Sequence, residues 1–278
     1  MGRYTDGELV QAIETTYYDD MVSFCADANC SFLRRDPDII IYSTGLPIAP
    51  FNGVLNPRFG CEDAAQRVRD AMAHFQNARM PMSWVLGPSS TPQELDEFLL
   101  RLGMAQGPTE AGMAADLGSV GREPLPRGLE IRRVEDSGSM KEFIDTTIDV
   151  FELPERARAG WDTIIMNYGF GPSRHWFLGT LDGRPVSTSL LVLHENVASM
   201  YMVGTIRGAR GQGIGTAMTR ESLLFAREAG MDIAVLEASE LGLPIYERMG
   251  FRKLCEFRIF SWTPSCIMPV AGICHECV

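Results

Sequence analysis

The sequence predicts an α/β protein with a mixed, mostly antiparallel central sheet flanked by helices. Three observations carry this prediction. Strand-like and helix-like patterns alternate along the second half of the chain. Two strand patterns, PVSTSLLVLH (185–194) and ASMYMVGT (198–205), lie close enough to pair as a hairpin. The segment GSVGREPLPRG (118–128) gathers three glycines and two prolines without periodicity, and so reads as a linker between domains at 1–117 and 129–262. At 278 residues the chain is long enough for two cores of ordinary size.

Taken in order, helices are expected at about 6–23, 62–78 and 92–102. In the first, Val10, Ile13, Tyr17 and Met21 recur at helical spacing. Strands are expected at DIIIYST (38–44), MSWVLG (82–87) and GMAADL (112–117). After the linker, LEIRRV (129–134) is a strand. A helix follows with Met140, Phe143, Ile144, Ile148 and Phe151 on one face, and then a second helix over about 154–168. HWFLGTL (175–181) precedes the hairpin. A glycine-rich loop, a helix to Ala229, the strand DIAVLEAS (232–239), a short helix LPIYERM (243–249) and the strand FRKLCEFRIFSW (251–262) complete the series. SWVLGPSSTPQELDEFLLRLGM (83–104) and AVLEASELGLPIYERMGF (234–251) both run strand, Ser-containing turn, short helix, Gly and a large apolar residue, a loose internal echo.

Composition excludes several functions. With 45% hydrophobic and 22% charged residues the chain is built like a globular protein. Its apolar runs are shorter than the ~18 residues of a membrane span. MGRYTDGELV has no apolar stretch of a secretory signal, and Asp6 stands where a myristoylation motif has Ser or Thr, so the cytoplasm is expected. A net charge of −11 supplies no basic stripe for nucleic acid, though it tolerates a cationic small molecule. Seven cysteines without a secretory signal are expected as free thiols.

The chemistry is concentrated in RGQGIGT (210–216), between a strand and a helix. Helix N-termini carry unpaired N–H groups and partial positive charge, and glycines let phosphate oxygens approach that backbone. Arg210 adds a full charge at the lip. A nucleoside triphosphate P-loop is excluded, because no Lys follows the glycines. A dinucleotide loop fits at Gly211, Gly213 and the acid Glu237, but Thr216 stands where its third glycine belongs. A purely structural turn is the remaining bland reading.

The stretch MVGTIRGARGQGIGTAM (202–218) resembles the acyl-CoA pyrophosphate loop of the GNAT superfamily of N-acyltransferases, Arg/Gln-x-x-Gly-x-Gly/Ala. Arg210, Gly213 and Gly215 match it, and Tyr246, Gly250 and Phe251 match a second family element downstream. The resemblance covers about 128–262 and implies a GNAT fold. It implies acetyl-CoA as acyl donor, held by the backbone of Met202, Val203, Gly204 and Thr205 in a gap between two splayed strands. The loop residues Arg210, Gly211, Gln212, Gly213, Ile214, Gly215 and Thr216 would hold its pyrophosphate. Ser239 stands where the family often has a cofactor-contacting Asn.

Under this resemblance a primary amine attacks the thioester directly in a ternary complex. A backbone N–H near Val203 is the expected oxyanion donor, and Tyr246 the expected acid toward the departing thiolate. The fourth strand of that domain, ASMYMVGT, carries no acid, which leaves Glu237, Glu240 or a water chain as the base. Phe151, Trp161, Tyr168, Phe170 and Trp176 crowd the region expected to receive the acceptor, a small-molecule or peptide amine.

The first half resembles the N-terminal part of tandem GNAT proteins and reads as a degenerate copy. Glu62 and Asp63 lead into its helix at 62–78, where they would repel a pyrophosphate, and Leu99 stands where a tyrosine would be. One active site per chain is therefore expected. In the Cys-containing tail (263–278), only Cys274 and Cys277 among Cys266, Cys274, His275 and Cys277 have zinc-knuckle spacing, and no metal site is expected. The alternative function is a non-catalytic acyl-CoA-binding or regulatory module of the same fold.

Overall fold

The computed structural model describes residues 4–264. The first half comprises α1 (Asp6–Asp27), β1 (Phe32–Asp36), β2 (Ile39–Ser43), β3 (Asn52–Leu55), α2 (Ala64–Ala78), β4 (Met82–Leu86), α3 (Leu95–Arg101) and β5 (Ala105–Asp116). The second comprises β6 (Leu129–Val134), α4 (Ser137–Val150), α5 (Glu155–Tyr168), β7 (Arg174–Leu181), β8 (Arg184–Leu193), β9 (Val197–Thr205), α6 (Ile214–Glu228), β10 (Ile233–Ala238), α7 (Leu243–Arg248) and β11 (Arg252–Trp262). Residues 120–128 between them form no regular element.

Local chemistry sets the boundaries of these elements. Thr5 opens α1 by accepting the Glu8 N–H at 3.3 Å, while the Glu8 carboxylate accepts the Thr5 N–H at 2.7 Å. Asp136 caps α4 in the same way, taking the Ser139 N–H at 2.9 Å. In α1 the buried stripe runs through Leu9, Ile13, Tyr17 and Cys25.

All eleven strands form one sheet, ordered β1-β2-β3-β4-β11-β5-β10-β9-β8-β7-β6. Only β3/β4 and β9/β10 pair parallel; every other neighbouring pair is antiparallel. The centre of this order shows an exchange. β11, the last strand of the second half, pairs with β4 of the first, and β5, the last strand of the first half, pairs with β10 of the second. β5 and β11 then pair with each other. Outward from that pair both sides run alike, through a parallel pair and then two antiparallel strands, and β6 is the one strand without a counterpart.

Helices cover both faces. α6 packs over β7, β8 and β9 on one face of the second half, and α4 and α5 lie on the other. α2 and α3 cover the first half around Trp84, Phe75 and Leu99. α1 crosses the centre, joining Tyr17 and Ile13 to Tyr42 and Val85 on one side and Ala114, Val235 and Phe257 on the other. It can lie this close because β5 offers Gly112, where an added Cβ would stand 3.1 Å from both Ile13 and Phe257. No helix among the described residues is long and apolar enough to cross a membrane.

The sequence patterns do not reveal β1 and β3. β1 is partly exposed and carries Arg34 and Arg35, and β3 is only four residues long. β5 extends well N-terminal of the expected 112–117, because pairing with β11 draws in the polar segment AQGPTE.

Candidate active site

β9 and β10 run parallel for only three residue pairs, from Val197–Ile233 to Ser199–Val235, and carry no strand pairing with each other beyond that point. The later part of β9 therefore presents an edge to a gap. A bulge alters that edge. The β8–β9 register shifts between Thr188 and Leu190, and Met202 adopts φ +52°, in the left-handed region. The Thr188 hydroxyl donates to the Met202 carbonyl at 2.8 Å, which holds the bulge. As a result Tyr201 and Met202 both face the α5 side, while Val203 turns toward the α6 side.

The glycine loop closes the end of this gap. Gly211 and Gly213 both have φ +76°, a conformation that L side chains rarely adopt, and around Gly211 an added Cβ would meet open space. α6 begins at Ile214 with no side-chain cap and no acid in its first turn. Its unpaired N–H groups, from Ile214 to Thr216, therefore open onto the loop. Ile214 itself is buried and pins the helix start to the core, whereas Gln212 is exposed. Arg210 donates from Nε to the Thr205 carbonyl at 2.9 Å, tying its guanidinium to the end of β9.

Tyr246 approaches from α7. It is buried against Phe251 and shares a side-chain hydrogen bond with Thr219, in the second turn of α6. Burial pushes its phenol above the usual range, with the Thr219 bond opposing the shift. Ser239 shapes the turn before α7, where its hydroxyl accepts the Gly242 N–H at 3.2 Å. The loop, the bulged strand and the tyrosine thus converge on the splayed end of β9 and β10.

On the α1 side lies a cavity of about 190 Å³, lined from both halves of the chain. α1 contributes Tyr17, Asp20 and Phe24, β5 contributes Glu110, and Tyr201 and Met202 of β9 close it toward the gap. Three of the five aromatics singled out in the sequence, Phe151, Trp161 and Tyr168, line it. Trp176 instead packs in the core on Phe143, and Phe170 is 48% exposed. Asp20 accepts the Tyr201 hydroxyl at 2.8 Å and lies 3.2 Å from His194 Nε2. Burial opposes charge on His194, but the Asp20 bond and the Asp20 and Asp19 charges outweigh it and raise its pKa.

Glu237, one of the two candidate bases, sits on β10 facing this side. Burial, then the Glu110 and Asp20 charges, push its carboxyl well above the usual range. Glu240, the other, is exposed. Sequence reasoning missed Asp20 and Glu110. The available signals were an acid inside the apolar stripe of α1, between Tyr17 and Phe24, and a lone acid in the small-residue run TEAGMAA (109–115).

The corresponding place in the first half is stitched shut. After β3 and β4 the chain is bridged by Phe59 N–H to the Thr91 carbonyl and Thr91 N–H to the Pro57 carbonyl, both 2.9 Å. Asp63 precedes α2, and Leu99 is fully buried beside Trp84. Among the described residues no cluster of His, Cys, Asp and Glu is arranged to hold a metal. Cys266, Cys274, His275 and Cys277 lie outside the described residues.

Comparison with known proteins matches residues 141–251 to the acetyltransferase (GNAT) family. A mouse protein described as probable N-acetyltransferase family 8 member 5 is 34% identical over 97 residues, a match that spans 31% of this chain and 39% of that relative. A GCN5-related N-acetyltransferase from Kribbella flavida has a similar fold, with TM-score 0.68 and 17% identity over 90% of this chain and 96% of that one. A GCN5-related N-acetyltransferase from Sphaerobacter thermophilus gives 0.64 and 16%, over 87% and 85%. A tandem GNAT protein from the clavulanic acid biosynthesis pathway gives 0.54 and 13%, over 91% and 96%.

Proposed function

Because residues 141–251 match the acetyltransferase (GNAT) family, we propose that the protein is an N-acyltransferase that moves an acetyl group from acetyl-CoA to a primary amine, at one site per chain. One observation carries the reading. The uncapped, acid-free start of α6, the unpaired edge of bulged β9 and the buried Tyr246 meet at a single gap.

The residues present fit the donor. The N–H groups of Gly211–Thr216 and the charge of Arg210 suit a pyrophosphate. The backbone of Met202–Thr205 suits an extended amide chain added beside β9. Ser239 fixes the turn at the far wall. Acetyl-CoA, when bound, supplies an acyl group activated as a thioester.

The chain's own groups then have separate tasks. Glu237, ionised, takes the first proton from the acceptor ammonium, which frees the nitrogen lone pair to form the C–N bond. The Val203 N–H, next to the bulge at Met202, would serve as donor to the oxygen on which charge develops. As the C–S bond breaks, Tyr246 donates to the sulfur, and the second nitrogen proton replaces the one it gives. One proton leaves to solvent over the cycle. A phenol held above its ordinary pKa of about 10 stays protonated across the working range, so its hydroxyl stabilises the thiolate by hydrogen bonding before it transfers its proton.

The first half is proposed as a second copy of the fold that has lost its donor site, in keeping with the mirrored strand order and the stitched Pro57–Thr91 segment. Titration with acetyl-CoA, together with thiol release across a panel of amines, tests the reading. Binding without thiol release from any amine favours a binding module instead. Two equivalents bound per chain would overturn the single-site assignment.

A further inference from the structure

The cavity between the halves has a chemistry of its own. Its walls include the rings of Tyr17, Phe24, Phe51, Phe151, Trp161 and Tyr168, from elements of both halves. Two carboxylates enter it from different elements, Asp20 at 7% exposure and Glu110 at 2%. No lysine or arginine is among its lining residues. Trp161 is 3% exposed, and its indole N–H has no hydrogen-bond partner among the described residues.

We propose that this cavity binds the acceptor, and that the acceptor is a primary ammonium carried on a compact aromatic or branched apolar body. The proposal rests on the acyl-transfer reading and narrows it to a substrate class. Size is the first argument. A dry cavity of about 150 Å³ accommodates benzene, so 190 Å³ takes one ring and a short alkyl arm. Amino sugars fit poorly, because their hydroxyls would be stripped of water against ring faces that return few hydrogen bonds.

Charge is the second argument. Asp20 and Glu110 set two buried carboxylates among aromatic faces, and both kinds of group attract a cation. Asp20 is held in place by Tyr201 and His194, which fixes where an ammonium would bind.

Position is the third argument. Met202 belongs both to the bulge of β9 and to the cavity wall, so the cavity ends at the strand edge proposed for the donor. Glu237 faces the same side, close enough for its charge to act on Tyr17 and Tyr201. A ring seated among the aromatics and an ammonium near Asp20 would point the nitrogen at that junction. The two carboxylates thus come from α1 and β5 of the first half, while the aromatic walls come from both halves.

The test uses the full chain with 2-phenylethylamine, its neutral isostere 2-phenylethanol, glucosamine and a lysine-containing peptide. With acetyl-CoA present, 2-phenylethylamine is expected to exceed glucosamine and the peptide in kcat/KM by roughly tenfold or more, the worth of burying an apolar ring where the others must desolvate polar groups. Asp20→Asn is expected to raise KM for 2-phenylethylamine by about tenfold while changing inhibition by 2-phenylethanol less than threefold. Glu110→Gln repeats the comparison should Asp20→Asn fail to fold, and the wild-type preference for amine over alcohol stands without either variant. Equal or better turnover of glucosamine or the peptide overturns the cavity assignment and leaves acyl transfer standing. Charge-dependent binding of 2-phenylethylamine with no thiol release does the reverse.

Discussion

Tyr246 illustrates how one side chain can be tested apart from its surroundings. Its ring packs on Phe251 and its hydroxyl meets Thr219, so Tyr246→Phe keeps the packing and removes one oxygen. Turnover should fall by about 10²–10⁴ with KM for acetyl-CoA nearly unchanged. Near-full turnover in steady-state assays would show that solvent protonates the sulfur. Glu237 makes a paired prediction. A carboxyl raised in the folded state costs stability when ionised, and that cost grows as pH rises from about 4.5 through the raised value. Glu237→Gln should therefore raise the melting temperature more at pH 8 than at pH 4, while lowering kcat and removing the acidic limb of the pH–rate profile. A variant that gains stability but keeps the limb assigns the base elsewhere. His194 has the opposite sign. Its raised pKa contributes stability that is present below about 6.5 and is lost as pH rises through the folded value. His194→Gln should flatten that part of the stability curve in urea titrations. Tyr246 was legible in the sequence because Tyr-x-x-x-Gly-Phe follows a strand. Asp20 was not, since its role comes from β9 and His194, far away along the chain.

At the scale of elements, the start of α6 was the most legible part of the site, because local backbone needs wrote glycines at 211 and 213. The bulge at Met202 left no such mark: a left-handed residue without glycine is imposed by the β8–β9 register and the Thr188 bond. The loop can be probed without disturbing the left-handed glycines, through Arg210. Arg210→Glu should weaken acetyl-CoA binding by roughly ten- to a hundredfold in calorimetry, since a charge-assisted contact is replaced by repulsion. The fold should survive, because Arg210 is only partly buried and its Nε bond to Thr205 is local. Unchanged affinity would remove the pyrophosphate from this loop. β1 and β3 escaped notice for a different reason. A short or polar strand is held by its neighbours' hydrogen bonds more than by its own pattern.

At the scale of the molecule, the glycines and prolines of 118–128 mark a break in the periodic patterns, but the exchange of β5 and β11 across it left no mark in the sequence. Both are ordinary alternating strands, and nothing in their composition names the partner they choose. The exchange makes a strong prediction. A fragment from 120 onward lacks β5 and leaves the free edges of β10 and β11 apart, so it should be insoluble or unfolded alone. Adding 1–119 in the same cell should restore a soluble complex and thiol release. A fragment that folds and turns over unaided would show that the exchange is dispensable. The same feature bears on how the chain is made. During synthesis β4 emerges with one edge bare, and the strand that covers it, β11, begins only at Arg252. At about 5–20 residues per second the wait is roughly ten to thirty seconds. Throughout that interval a nascent sheet edge is open to any other strand in the cell, including the same edge on a neighbouring ribosome of one messenger.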